Sequence, residues 1–313
     1  MTTLLTIFTP AYNRAHTIGR TYESLHRQTC KDFEWLVIDD GSSDNTKELV
    51  LSWIEQTKDF KIRYVYKENG GLHTGYNKAI ELMETELCVC IDSDDWMPDD
   101  AVEKIVGCWS AKGANDFSGI IGLDFTPEGR PIGGYFSNDM KSGHITDLTY
   151  KFRHRGDTKI VCRTDLLKRF APMPTLNNEK NFNPIYLYLQ VDSVAPFLYL
   201  NENLCFVDYQ VTGMSANIFN QFNNSPYSFA ALRELLMSLK RLSFHVRYKN
   251  AIQYASCAFI AHDFSLMGKT KHQFMVWSSL PLGYALYLLV LWKKKWIGHC
   301  LASLFPFTML GNT

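Results

Sequence analysis

The sequence predicts an α/β fold, a mainly parallel sheet flanked by helices and followed by a helical C-terminal region. Three observations carry this. Short apolar runs alternate with helical segments three times before residue 85, the pattern of βαβ units with right-handed crossovers. Polar clusters stand at the ends of three of the first four apolar runs, where a parallel sheet gathers its ligands. Beyond residue 225 helical periodicity replaces the strand pattern. With 313 residues there is length for one large or two modest domains.

Leu4–Phe8 reads as the first strand, and Thr9-Pro10-Ala11-Tyr12-Asn13-Arg14 as a loop opening a helix to about Gln28. Because no basic leader precedes it, the opening run is expected to be a strand and not a signal peptide. Phe33–Ile38 is a second strand ending at Asp39-Asp40-Gly41-Ser42-Ser43-Asp44, ahead of a helix over Lys47–Gln56. A third strand, Ile62–Tyr66, leads into Glu68-Asn69-Gly70-Gly71. That glycine pair permits positive φ and close backbone approach just before a helix N-terminus, which favours phosphate.

The fourth strand, from Leu87, stops at Asp92-Ser93-Asp94-Asp95. Two readings stand for these acids: a turn capping the helix Ala101–Trp109, or a site for a hard divalent cation, which takes one or two carboxylates plus substrate phosphates. Neighbouring carboxylates repel unless something positive lies among them, so a second acidic pair on the same edge favours the cation. There is no G-x-G-x-x-G after the first strand and no G-x-x-x-x-G-K-[ST], which argues against dinucleotide and P-loop chemistry.

The 32 basic and 32 acidic residues cancel, so bulk charge does not suggest a nucleic-acid binder. The eight cysteines show no metal-ligand spacing, and several sit in apolar runs as small hydrophobes. A reducing, cytosolic setting is expected.

Thr9-Pro10-Ala11-Tyr12-Asn13-Arg14, Val37-Ile38-Asp39-Asp40-Gly41-Ser42-Ser43-Asp44, Glu68-Asn69-Gly70-Gly71 and Asp92-Ser93-Asp94-Asp95 resemble, in order and spacing, the motifs of family 2 inverting glycosyltransferases. The resemblance is tightest to about residue 110, looser to about 217 and thin beyond. It implies a Rossmann-like fold of GT-A type. Residues 1–220 would form the transferase domain, with a donor half over 1–110 and an acceptor half over 111–220, and residues 221–313 a helical, membrane-associating region. It also implies a nucleotide-sugar site. Thr9, Pro10, Tyr12 and Arg14 would line base and ribose, with one of Asp39 and Asp40 on a uracil N–H. Asn69, Gly70, Gly71, Asp92 and Ser93 would complete the donor site, and Asp92 and Asp94 would hold Mn2+ or Mg2+ against the diphosphate of a UDP-sugar. Independently of the family, a departing diphosphate gathers charge that a metal neutralises.

Gly119–Asp124 reads as a strand, Thr126–Asn138 as a hairpin or loop, and Gly156–Asp165 as a strand entering a short helix at Leu166–Phe170. An inverting transfer needs a carboxylate base on the acceptor hydroxyl. The subgroup resembled often carries Glu-Lys-Phe, a short gap, then Pro-Glu. Here the text is Glu179-Lys180-Asn181-Phe182-Asn183-Pro184-Ile185, which puts Ile185 where the base is expected and leaves Glu179 and Asp192 as the nearby acids. Phe197–Leu200 and Leu204–Tyr209 read as strands flanking a turn. Thr212–Asn217 resembles the family's loop over the diphosphate, and reads equally as a plain surface turn.

Ser225-Pro226 opens a helix with a stripe from Phe229 to Leu242, and a second helix is expected over Arg247–Met267. Phe274–Trp292 has no charged residue and meets Lys293-Lys294-Lys295-Trp296. A membrane-surface helix, a bilayer span and a buried core helix all fit, and the tryptophans beside lysines favour the first. The expected whole is a cytoplasmic enzyme attached peripherally to the inner membrane surface through residues 274–310, acting on a glycan or polyprenyl-linked saccharide in cell-surface polysaccharide synthesis. Two other readings accompany it: a nucleotide-sugar-binding protein with impaired catalysis, prompted by Ile185, and a sugar nucleotidyltransferase, which lacks the Gly-rich basic loop a triphosphate requires.

Overall fold

A computed structural model describes residues 3–112, 116–176, 179–208 and 218–295. They fall into two compact units, one from residues up to 173 together with 187–209, the other from 174–186 and from 210 onward.

The first unit opens with β1 (Leu5–Ala11), α1 (Ile18–His26), β2 (Phe33–Asp39), α2 (Thr46–Gln56), β3 (Lys61–Tyr66), α3 (Leu72–Leu82), β4 (Leu87–Cys90) and α4 (Ala101–Lys112). β5 (Gly119–Phe125), β6 (Ser142–Gly143), α5 (Ile145–Tyr150), β7 (Thr158–Arg163) and α6 (Thr164–Phe170) follow, and after α7 (Ile185–Val191) comes β8 (Phe197–Phe206). Among the described residues these strands make one eight-stranded sheet in the order β3-β2-β1-β4-β7-β5-β8-β6. The first four are parallel, as the repeated strand–loop–helix pattern requires. β7 runs antiparallel to both β4 and β5, while β5 and β8 are parallel, so β1, β2, β3, β4, β5 and β8 all end on one edge. β1 and β2 are buried along their whole length, as expected of strands covered on both faces. Leu5, Ile7, Trp35, Val37, Val89, Ile120 and Val161 belong to a single core with α4 residues Val102 and Ile105.

The turn expected at Asn201–Asn203 is instead a bulge in continuous β8, where the register against β5 shifts between Ile121 and Leu123. Asn201 and Glu202 bow out to solvent while Leu204 returns beneath Gly122, its Cδ1 2.3 Å from where a Cβ would stand. The missing side chain lets the strand rejoin its partner without a reversal.

The second unit contains α8 (Ile218–Asn224), α9 (Pro226–Ser238), α10 (Phe244–Ile260), α11 (Ser265–Lys269), α12 (Gln273–Ser278) and α13 (Leu280–Lys295). Its core joins Phe222, Phe229, Met237, Tyr254, Met267, Val276, Leu286 and Val290. The helix expected over Arg247–Met267 stops at Ile260, because His262 takes a left-handed φ of 51° and the Asp263 N–H returns to the Ala258 carbonyl at 3.1 Å. The apolar run Phe274–Trp292 is likewise two helices broken at Ser279, whose hydroxyl turns back to the Val276 carbonyl at 2.8 Å. Gly283 lets α13 approach α10 closely, with Ala255 Cβ 2.6 Å from the position its own Cβ would take. On the opposite side Leu282, Tyr284, Leu288 and Trp292 are exposed. Among the described residues no helix is long and apolar enough to cross a membrane.

Candidate active site

The loops after β1, β2 and β3 meet on the carboxyl edge and are laced together. Asn13 sits at a positive φ of 54°, which an asparagine tolerates, and this aims the next N–H groups at the β2–α2 loop. The Asn13 N–H donates to Ser42 Oγ at 2.9 Å, and the Ser43 N–H to Asn13 Oδ1 at 2.8 Å. The Arg14 N–H donates to Thr46 Oγ1 at 3.0 Å, and the Ala15 N–H to the Asp44 carboxylate at 3.0 Å. Asp44 also accepts from the Thr46 N–H at 3.1 Å, fixing the start of α2.

Asp39 and Asp40 are buried and hold this edge from within. Asp39 accepts from the Ser42 N–H at 2.7 Å and the Tyr64 hydroxyl at 2.5 Å. Asp40 accepts from the Gly70 and Gly71 N–H groups at 3.0 and 2.8 Å, from the Asn69 amide at 3.2 Å and from the Lys67 ammonium. Gly71, at φ 94°, supplies the conformation that lets two successive N–H groups face one carboxylate. Thr9 is fully buried and accepts from the Trp35 indole N–H at 3.0 Å, and Pro10 beside it is buried too. The groups left open are Tyr12, half-exposed, with Arg14, Asn69, Gly70 and Gly71 partly so.

Asp92, Ser93, Asp94 and Asp95 form a tight turn at the end of β4, closed by the Asp95 N–H on the Asp92 carbonyl at 3.0 Å. Ser93 and Asp95 point inward, while Asp92 and Asp94 are partly exposed. Trp96 pairs with Phe206 at the end of β8, so two strand ends meet here. Arg20 of α1 leans over the Trp96 ring at 5.0 Å, donating to Asp208 at 2.8 Å and to the Asp94 carbonyl at 3.2 Å.

Under the turn lies a buried ionic cluster that the sequence reading missed. Lys159 of β7 is 1% exposed, and its Nζ stands 3.9 Å from both Asp95 and Asp124. Burial alone would lower its pKa, but Asp124, Cys205, Asp95 and Asp92 carry it well above the ordinary value, so it is cationic. One lysine does not offset so many acids. Burial pushes Asp92 up to about 7 despite Lys159, with Asp94 and Asp124 adding to the rise, and burial pushes Asp124 up to about 7 as well. The available signal was a lysine within Thr158-Lys159-Ile160-Val161-Cys162, a charge inside an apolar strand.

The two acids considered for the base, Asp192 and Glu179, are both bound up in local structure. Asp192 is fully buried at the opposite, amino edge of the sheet. It sits just ahead of β8 and bonds the Ile145 N–H at 3.0 Å and His144 Nδ1 at 3.2 Å, where Gly143 pairs with the first residue of β8. That is about 25–30 Å along β8 from the acidic turn at the ordinary strand rise. Glu179 belongs to the second unit and caps α9, accepting from the Tyr227 and Ser228 N–H groups at 2.9 and 2.7 Å and from the Ser228 hydroxyl at 2.5 Å. Ile185, at the start of α7, is buried. The loop Thr212–Asn217 and the tail beyond residue 295 lie outside the described residues.

A mixed α/β sheet that gathers acids and glycine-rich loops on its carboxyl edge is the architecture of the GT-A glycosyltransferases. The sequence model for Glycosyl transferase family 2 matches residues 6–170, more than half of the chain, and the chain belongs to that family. Glycosyltransferase GlyA of Streptococcus pneumoniae is 33% identical over 101 residues, 32% of this chain and 14% of its own length. The chondroitin synthase of Pasteurella multocida is 36% identical over 100 residues, 32% of this chain and 10% of its own. The chain thus spans only a small part of these curated relatives. Among solved structures, S. aureus TarS 1-349 in complex with UDP-GlcNAc superposes with a TM-score of 0.57 at 14% identity, over 93% of this chain and 91% of that one. The mannosyltransferase PcManGT of Pyrobaculum calidifontis, in complex with GDP-Man and Mn2+, gives 0.54 at 15% identity, over 93% and 87%. Both share the fold.

Proposed function

We propose that this glycosyltransferase moves a sugar with inversion from a UDP-sugar to a hydroxyl of a glycan or polyprenyl-linked saccharide. The observation that carries the reading is the convergence of the Asp92–Asp94 pair with three cross-braced loops on one sheet edge. The nucleotide sugars bound by TarS and PcManGT support such a donor.

Tyr12 offers an open ring to the base, and Arg14 a charge beside it. Asp39 and Asp40, filled by protein donors, serve by shaping the loops. The N-terminal end of α3, behind Gly70-Gly71, brings the positive end of its dipole to developing negative charge. Among the described residues no three His, Cys, Asp or Glu side chains form a metal site by themselves. The donor set fits a divalent ion shared with the substrate, since two crowded, partly exposed carboxylates suit Mn2+ or Mg2+ completed by phosphate oxygens. Such an ion would be held by Asp92 and Asp94 and would neutralise the departing diphosphate.

The general base is proposed to be neither Asp192 nor Glu179, both of which are engaged in holding local structure. The test is UDP-sugar binding followed by thermal stabilisation with and without Mn2+, then transfer to saccharide acceptors. No stabilisation by any nucleotide sugar would sink the donor reading. Stabilisation without turnover on any acceptor would point to a member with impaired catalysis, the reading favoured by the buried Ile185.

The exposed Phe274, Trp277 and Trp292, with Lys293–Lys295 next in sequence, support peripheral attachment to an anionic membrane surface on the cytoplasmic side. Replacing the three aromatics by serine should abolish co-flotation with phosphatidylglycerol vesicles, and undiminished flotation would refute the attachment.

A further inference from the structure

We propose that Lys159 is a positioning residue for the acidic turn: its buried ammonium, set between Asp95 and Asp124, holds the turn in the shape that presents Asp92 and Asp94 to a divalent cation. The inference rests on the donor-site reading above.

Asp95 is fixed on every side. Its N–H closes the turn on the Asp92 carbonyl, its own carbonyl accepts from Thr21 Oγ1 at 2.7 Å, and its carboxylate accepts from the Asp208 N–H at 3.4 Å and faces Lys159. Asp124 lies on β5, a direct neighbour of β7, so the ammonium ties the turn to the interior of the sheet. Asp95 and Asp124 are 3% and 2% exposed, which places both behind the site and out of reach of a ligand.

Stability alone does not account for the arrangement. A buried ion pair is often no better than apolar side chains of the same volume. Here the ammonium also makes no hydrogen bond to any described residue. What the charge does achieve is geometric. It draws the Asp95 side chain inward, and the chain reversal then turns Asp92 and Asp94 toward the edge.

The experiment is the double variant Lys159→Met/Asp95→Asn. It removes both members of the Lys159–Asp95 contact together, so neither side chain is left facing an altered partner. Mn2+ is titrated calorimetrically into the full chain in the presence of UDP. The expected result is a Kd about tenfold or more weaker than that of the parent, the usual effect of losing a group that orients a metal ligand, with the melting temperature close to the parent value. An unchanged Kd overturns the proposal. Should the double variant fail to fold, Lys159→Arg decides the matter. It keeps the charge but forces a planar guanidinium into a gap built for an ammonium, and a Kd equal to the parent's again overturns the proposal. If the parent chain itself binds no Mn2+ with UDP, the donor-site reading falls first, an outcome distinct from an insensitive variant.

Discussion

Asp192 and His144 hold each other at the amino edge of the sheet, with the imidazole Nδ1 3.2 Å from a carboxylate that also caps the first N–H of α5. The pair ties the start of α5 to the segment entering β8, and Tyr199 closes the arrangement by donating to the His144 carbonyl at 2.8 Å. Asp192→Asn should therefore cost about 1–2 kcal/mol of stability, a fall of roughly 2–6 °C in melting temperature, while kcat for sugar transfer stays within a few-fold of the parent. A hundredfold loss of kcat at unchanged melting temperature would return Asp192 to the role of base.

Glu179→Gln provides the matching case in the second unit. Two N–H groups and a hydroxyl converge on this carboxylate. The amide replaces one acceptor oxygen with a donor, so α9 should loosen, seen as faster amide exchange over Tyr227–Ala230, and turnover should persist.

Asp40 is the clasp between the β2 and β3 loops. Asp40→Asn confronts the Gly70 and Gly71 N–H groups and the Lys67 ammonium with an NH2 group, leaving half-buried donors unmatched at about 1 kcal/mol. Affinity for UDP, measured by calorimetry, should fall about tenfold. An affinity equal to the parent's would show that the glycine loop keeps its shape without the clasp.

Asp92→Asn and Asp94→Asn should each lower kcat on the order of 10²–10³-fold, the scale of losing one group that stabilises developing charge. Each should also abolish the part of thermal stabilisation by UDP-sugar that depends on Mn2+. Retention of that part in both variants would place the cation elsewhere.

Asp44 links stability to acid. Burial works to raise its pKa, but hydrogen bonds from the Thr46 hydroxyl and the Ala15 and Thr46 N–H groups outweigh it and hold the value below 3.8. The folded state thus keeps the carboxylate ionised where the unfolded chain takes up a proton. The contribution is complete above pH 3.8 and is lost as pH falls through the lower folded value. The stability difference between the parent and Asp44→Ala, of about 1 kcal/mol for the lost hydrogen bonds, should hold from pH 7 to 5 and shrink toward pH 3. A difference independent of pH over that range would contradict the assignment.

The first 110 residues were legible because their strands and helices are local. Leu5–Phe8 and Phe33–Ile38 declare themselves by apolar composition and the later loops by Gly41 and Gly70-Gly71, whereas Thr9-Pro10-Ala11, read as loop, continue β1 in register with Val37-Ile38-Asp39. The stretch beyond residue 110 was less so, because its arrangement depends on pairings distant in sequence. Nothing near Asp192 says that the next strand begins at the edge away from the acids, since that follows from β5 and β8 running parallel. Lys159 became visible only once β7 lay antiparallel between β4 and β5. In β8 the polar Asn201-Glu202-Asn203 reads as a reversal, and only Gly122 on the neighbouring strand shows that a bulge is enough. The break at Ser279 rests on one hydroxyl turned back to the Val276 carbonyl, a detail that averaged hydropathy does not register.

The lacing of Asn13, Ser42, Asp44 and Thr46 makes the first two loops one mechanical body. A cradle braced in this way is already ordered before the donor arrives, so little affinity is spent on freezing backbone. It also confines the means by which such a site could change its preferred nucleotide. On the proposed donor reading, a different base would be met at the rim, by exchanging Tyr12 or Arg14, because a substitution that reshapes either loop disturbs both.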